Sequence, residues 1–168
     1  MPGPHELYLI RHGLAATRGE AWPDDSKRPL TEQGVSRLKK SVRGLTRIGV
    51  TLDVILTSPL LRARQSAEIL AAAFNPRPHV VHVEALAPGG SHAAVLLELE
   101  KHARRQAIAV VGHEPNLGEF AARLIGTRHP LEFKKGAVCR IDVDVLPPEG
   151  PGNLRWFLTP RMLRGLRK

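Results

Sequence analysis

Leu7-Tyr8-Leu9-Ile10-Arg11-His12-Gly13 is the stretch on which the fold turns. Its first residues form a buried strand, and the strand ends abruptly in an arginine, a histidine and a glycine. A cation and an imidazole are thereby delivered to a backbone turn. An arginine in a buried position carries a large desolvation cost unless an anion meets it there. A histidine beside a fixed cation suits a nucleophile or a phosphate ligand, and Gly13 lets the backbone come close. Alone the tripeptide is a weak signal, so its meaning depends on what the rest of the chain brings beside it.

Leu14 to Arg28, with Trp22-Pro23-Asp24-Asp25 inside it, reads as a loop over the end of the sheet. Thr31 is the expected cap of a helix in which Val35, Leu38, Val42, Leu45 and Ile48 recur at helical spacing and Gly49 is the terminator. Asp53–Thr57 is a second strand. Ser58 then offers a capping hydroxyl and Pro59 a first helical residue, for a helix running to about Phe74 with Arg62 in its first turn. His79–Val83 is a third strand, followed by a loop from Glu84 to Gly90 and a helix from Ser91 to about Gln106.

Ala107–Val111 is apolar throughout, as a buried parallel strand should be. It runs into Gly112-His113-Glu114-Pro115, and Asn116 with Glu119 resembles a capping box for a helix ending near Gly126. Ala137–Val145 alternates, with Arg140, Asp142 and Asp144 on its outer side, which predicts a half-exposed strand. The turn-rich segment Pro147–Gly152 joins it to a last strand at Asn153–Leu158. Arg161–Lys168 is expected to be a basic, frayed end.

Strands alternating with helices predict an α/β three-layer sandwich, with a mostly parallel central sheet, helices on both faces and a C-terminal hairpin. One domain is expected over residues 1–168, with no repeat and no linker. Ligands of such folds bind beyond the carboxyl ends of the strands. Arg11-His12, Arg62 and His113 lie there after three different strands, about 50 residues apart.

The formal net charge of +9 favours anionic partners, whether nucleic acid, phosphorylated protein or small phosphate esters. Four phenylalanines, two tryptophans and one tyrosine are scattered, which argues against a nucleic-acid platform. Cys139 is the single cysteine, so no internal disulfide and no zinc cluster is expected. Neither a signal peptide nor a membrane span is seen, and a cytoplasmic location is expected. His113-Glu114 would need a second histidine at 117 for a zincin motif, and that position is Leu117. His79 and His82 face opposite sides of a strand, while His5, His102 and His129 read as solvated or structural.

Two arginines, two histidines and two helix starts suit a dianionic phosphoryl group. Nearby guanidinium groups disfavour imidazolium and keep a histidine neutral near pH 7, as a nucleophile requires. His12 suits that role, and His113 suits a donor to the transferring oxygens.

Arg11-His12-Gly13, the stretch Ser58-Pro59-Leu60-Leu61-Arg62-Ala63, Gly112-His113 and Arg28-Pro29-Leu30-Thr31-Glu32-Gln33-Gly34 together resemble the histidine phosphatase superfamily, also called phosphoglycerate-mutase-like. The resemblance spans nearly the whole chain. Small size, the Gly-His-Glu-Pro-Asn run and Phe133-Lys134-Lys135-Gly136-Ala137 are most similar to the SixA-type phosphohistidine phosphatases. The resemblance implies a central mixed sheet between helices and a phosphorylated nucleophile at His12. It implies phosphoryl binding by Arg11, Arg62 and His113, with Gly13 counted among the substrate-binding residues, and no metal or cofactor. Arg28 either binds substrate phosphate or lines the loop. The implied partner is a phosphorylated substrate, in first place a phosphohistidine-bearing protein.

The proton donor stays open. Many relatives place a glutamate after the third strand, where Glu84 stands, but the SixA-like group lacks that acid in its usual form. Glu84 is then either the acid or a loop-anchoring carboxylate. His92, Glu114 and solvent are the other candidates. A small-molecule phosphomonoesterase, a phosphoglycerate-type mutase and a non-enzymatic anion or nucleic-acid binder are the alternative functions. A mutase calls for a walled site that these short loops do not build, and a mere binder leaves the spacing of His12, Arg62 and His113 unexplained. Oligomeric state is not fixed by sequence.

Overall fold

Side chains on a strand alternate between faces, and the apolar residues before Arg11 divide accordingly. Leu7 and Leu9 enter one core, while Tyr8 and Ile10 enter another. This sharing of one strand between two cores requires helices on both sides of the sheet. The computed structural model describes residues 3–166. Met1, Pro2, Arg167 and Lys168, the extreme ends of the expected N-terminal segment and basic tail, lie outside the described residues.

The elements in chain order are β1 (His5–Arg11), α1 (Glu32–Arg47), β2 (Val54–Thr57), α2 (Leu61–Ala72), β3 (His79–His82) and α3 (His92–Glu100). They continue with β4 (Ala107–Gly112), α4 (Asn116–Ile125), β5 (Val138–Val143), β6 (Asn153–Leu158) and α5 (Pro160–Gly165). The six strands form one sheet in the order β3-β2-β4-β1-β5-β6. β3, β2, β4 and β1 run parallel, and β5 is antiparallel to both β1 and β6. Helices α1, α2 and α5 cover one face and α3 and α4 the other. The expected α/β sandwich with a terminal hairpin is the observed architecture. No helix among the described residues is long and apolar enough to cross a membrane.

The order of strand connection reverses between the parallel neighbours β1 and β4. β1 leads to β2 and β3 on one side, and the chain then returns to place β4 next to β1. Such a switch point leaves a crevice at the strand carboxyl ends. The residues after β1 and β4, His12 and His113, therefore start side by side.

Several local expectations are corrected. Ser58 does not cap α2, which starts later, at Leu61, behind Leu60. Asn116 is the first residue of α4 rather than its cap, and its side-chain amide donates to Gly90 O at 3.2 Å. α3 ends at Glu100 instead of near Gln106. Asp142, expected to face water on β5, is only 3% exposed, because Arg140 Nε and Arg155 Nε each donate to it at 2.8 Å. The expected fraying of the end does not hold through residue 166. Thr159 caps α5, and Leu163 is fully buried against α1. A Cβ on Gly44 of α1 would stand 2.2 Å from Leu163 O, so glycine is what admits this docking.

The same argument explains the Leu-Thr-x-x-Gly pattern at the start of α1. Thr31 N–H donates to Leu14 O at 3.0 Å, and Thr31 Oγ1 accepts from Gly34 N–H at 2.9 Å. A Cβ on Gly34 would meet Leu14 O at 2.1 Å. The loop that follows His12 and Gly13 thus rests directly on helix backbone. Gly34→Ala should push this loop away and cost about 1–3 kcal/mol of stability, as overpacking does. Thermal and urea unfolding check this, and a variant as stable as the parent would contradict the close approach.

Candidate active site

A cleft of about 410 Å³ opens beyond the ends of β1 and β4, and Arg11, His12, Arg28, Arg62, His113 and Glu114 line it. The three strand-end groups expected to converge are therefore together. Arg28, from the loop before α1, joins them.

His12 follows β1 and is 4% exposed. Its Nδ1 lies 2.7 Å from Gly13 O. A carbonyl only accepts, so Nδ1 carries the proton and Nε2 keeps its lone pair. Burial drives the ring's pKa down to about 3, helped by His113, Arg62 and Arg11 and opposed by the Gly13 hydrogen bond. The ring is thus neutral at pH 7, with a free nitrogen able to attack an electrophile. Backbone bonds fix its place. His12 N–H donates to Gly112 O at 3.2 Å, and Gly136 N–H donates to the carbonyls of Arg11 and His12, each at 3.0 Å.

His113 follows β4, and its ring centroid is 5.0 Å from that of His12. Its Nε2 is 2.7 Å from Ser58 Oγ. That oxygen also accepts from Leu60 N–H at 3.2 Å, and among the described residues its own proton has no acceptor other than His113 Nε2. The imidazole proton then resides on Nδ1. Burial, with Arg62 next, lowers the ring's pKa to about 4. Ser58 is therefore a group that sets a tautomer, and its hydroxyl holds Leu60 N–H ahead of a helix that begins only at Leu61.

Arg62 stands in the first turn of α2 and is 2% exposed. Its Nη1 donates to Asp25 O at 2.9 Å and its Nη2 to Asp25 Oδ2 at 3.0 Å. Arg28 Nε donates to Asp25 Oδ1 at 3.0 Å, and Arg28 Nη1 to Ala16 O at 2.8 Å. Burial works upward on Asp25, but hydrogen bonds from Arg28 and Arg62 outweigh it and hold the carboxyl below its ordinary value. Arg11 Nη1 donates to Phe133 O at 2.7 Å. Ser66 of α2 links the parts, accepting from Gly13 N–H at 3.0 Å and donating to Arg62 O at 2.7 Å.

Among the described residues, three buried side-chain nitrogens or oxygens have no hydrogen-bond partner: Arg11 Nε, Arg62 Nε and His113 Nδ1. All three belong to residues lining this cleft. Buried donors are nearly always satisfied, so their convergence marks a place for an acceptor-rich ligand. A tetrahedral oxyanion is such a ligand.

The carboxylates are not where the sequence suggests. Glu84 is exposed in a short 3-10 turn after β3 and does not line the cleft. The loop that follows edge strand β3 does reach the cleft, but with Pro88, while Glu84 stays exposed to solvent. His92 is also outside the cleft, donating from Nε2 to Asn116 O at 3.2 Å and resting against Phe120. Glu114 does line the cleft, but Oε1 accepts from Gly118 N–H at 2.7 Å and Oε2 from Phe133 N–H at 3.5 Å. Burial raises its pKa against these donors. Asp25 and Ser66 have no role assigned from sequence, and Lys135 stands out there only within the Phe133–Ala137 run. Asp25 lies within the loop expected over the sheet end, and its position there is the one signal that pointed to it.

Comparison with known proteins agrees with this geometry. The model of the histidine phosphatase superfamily, branch 1, matches residues 7–87. An uncharacterized protein of Picosynechococcus is 46% identical over 138 residues, covering 79% of this chain and 82% of its own. The chain belongs to the histidine phosphatase superfamily, and it is a phosphatase. The phosphohistidine phosphatase SixA of Escherichia coli is 27% identical over 161 residues, spanning 95% of this chain and 96% of that protein. A solved structure of the protein histidine phosphatase SixA complexed with tungstate superposes with a TM-score of 0.82 at 26% identity, covering 93% and 97% of the two chains.

The buried neutral histidines carry a pH signature. In the unfolded chain both rings protonate near 6.5, whereas in the fold His12 does so near 3 and His113 near 4. Between those values the unfolded state binds more protons, so stability falls as pH is lowered from about 6.5 toward 4. Urea unfolding between pH 7.5 and 4.5 should show that fall, and the double variant His12→Gln, His113→Gln should flatten it. An unchanged dependence in the variant would show that the rings are not buried neutral.

Proposed function

We propose that this phosphatase hydrolyses phosphohistidine carried on a protein, through a covalent phosphohistidine at His12. The observation that carries the reading is the set of three unpartnered buried donors, from Arg11, Arg62 and His113, around a neutral ring with a free Nε2. The SixA relatives and the relative that holds tungstate, itself a tetrahedral oxyanion, support it.

In the first step His12 Nε2 attacks phosphorus, a bond from Nε2 to phosphorus forms, and the phosphorus–nitrogen bond of the substrate breaks. Arg11 and Arg62 hold the equatorial oxygens as charge spreads over them, and His113 Nδ1–H donates to one of them. In the second step water attacks the phosphoryl group, the bond to Nε2 breaks, and phosphate leaves with the ring neutral again. Throughout, Gly13 O accepts the Nδ1 proton, which keeps Nε2 as the reacting atom.

The poverty of free acids in the cleft favours a nitrogen leaving group. A departing alkoxide needs a proton at the leaving oxygen, and Glu114 is the one lining carboxylate, with both oxygens engaged by backbone. In phosphohistidine the ring nitrogen remote from phosphorus takes its proton from solvent beforehand. The imidazole then leaves neutral, and no acid has to reach the leaving atom. Glu84, outside the cleft, is not needed.

A substrate panel tests this. A phosphohistidine peptide should be turned over with a higher kcat/KM than an alkyl phosphate monoester, and Arg62→Ala should lower kcat/KM on the peptide by about a hundredfold or more. Preference for the alkyl ester, or an Arg62→Ala variant as active as the parent, would overturn the reading.

A further inference from the structure

A second hollow, of about 200 Å³, lies beside the cleft and shares Leu14 and Lys135 with it as a common wall. Arg37 from α1, Lys134 and Lys135 from the segment before β5, and Arg164 from α5 line it. No carboxylate among the described residues lines it. Among the described residues none of these four cations takes part in an ion pair. Four cations facing one concavity, with no acidic side chain in its lining, make a local concentration of positive charge. The field of the cleft reinforces it: burial, then Arg11, Arg28 and Arg62, lower the Lys135 pKa.

We propose that this hollow is a docking site for acidic side chains flanking the phosphorylated histidine of the protein substrate. The proposal rests on the phosphohistidine reading above and adds the sequence preference of the same site. Charge complementarity is the argument, since carboxylates are the groups a peptide supplies to unpaired arginines and lysines. Reach fits as well. An extended peptide advances about 3.3–3.6 Å per residue, so glutamates within a few residues of the histidine span a wall one side chain thick. The hollow touches neither His12 Nε2 nor the three unpartnered donors, so it selects the substrate without taking part in the transfer.

The test uses two phosphohistidine peptides, one with glutamates on both sides and one with glutamines in their place. Wild type should prefer the acidic peptide in kcat/KM, and that preference should shrink as salt is raised. The double variant Arg37→Glu, Arg164→Glu changes an exposed and a half-buried side chain, neither in the cleft. It should lose about tenfold on the acidic peptide and stay within about twofold on the neutral one, as two rim charges would produce. Lys replacements at the same two positions should keep the preference. Equal wild-type rates on both peptides, or equal losses on both in the variant, would overturn the docking site alone. No turnover of either peptide by wild type would overturn the phosphohistidine reading and the docking site with it.

Discussion

A guanidinium that is 2% exposed must be met by negative charge, and at Arg62 the fold meets it incompletely. Asp25 supplies one carboxylate to Arg62 and Arg28 together, with Arg18 Nε a further 3.4 Å contact. Its two oxygens are thereby spent, and Arg62 Nε is left without a partner. Arg11 adds a second cation with a free Nε. A buried donor with no partner costs about 1–3 kcal/mol, more when charged. The rest of the site follows from this deficit: the ligand that removes it is anionic, rich in acceptors and small enough for the cleft.

The same surplus of positive charge governs the histidines. Burial together with Arg62 and Arg11 keeps both rings unprotonated. Each ring is then committed to one tautomer by one contact, Gly13 O for His12 and Ser58 Oγ for His113. One ring presents a lone pair and the other a proton. Ser66 couples the two sides, because the hydroxyl that receives Gly13 N–H also donates to the backbone of Arg62. A lone pair and an array of donors are thus held side by side by the fold before any ligand arrives, as the proposed transfer requires.

The positions of Arg11, His12 and His113 are legible in sequence because they end apolar strands, and buried parallel strands point their carboxyl ends the same way. Local propensity fails where a tertiary partner claims the group. Ser58 has the chemistry of a cap, yet the helix starts only at Leu61, beyond its reach, and its proton goes to His113; Asn116 has it too, yet its amide reaches Gly90 O. Asp142 follows the alternation of an exposed face and is nevertheless buried, because Arg140 and Arg155 neutralise it. Glu84 was placed correctly at a strand end, but which side chain of the following loop turns into the cleft is not written in that segment: Pro88 does and Glu84 does not. Asp25 is invisible for a related reason: only the folded loop brings one aspartate to two arginines distant in sequence.

The claim at the centre of this account is that phosphorus is transferred to Nε2 of His12. Quenching the enzyme in alkali during turnover of a ³²P-labelled phosphohistidine peptide, then mapping the label by proteolysis and mass spectrometry, tests it directly. The account predicts label on the peptide containing His12, stable to alkali, lost in acid, and absent from His12→Ala. Label on another residue, or full turnover in His12→Ala, would contradict it.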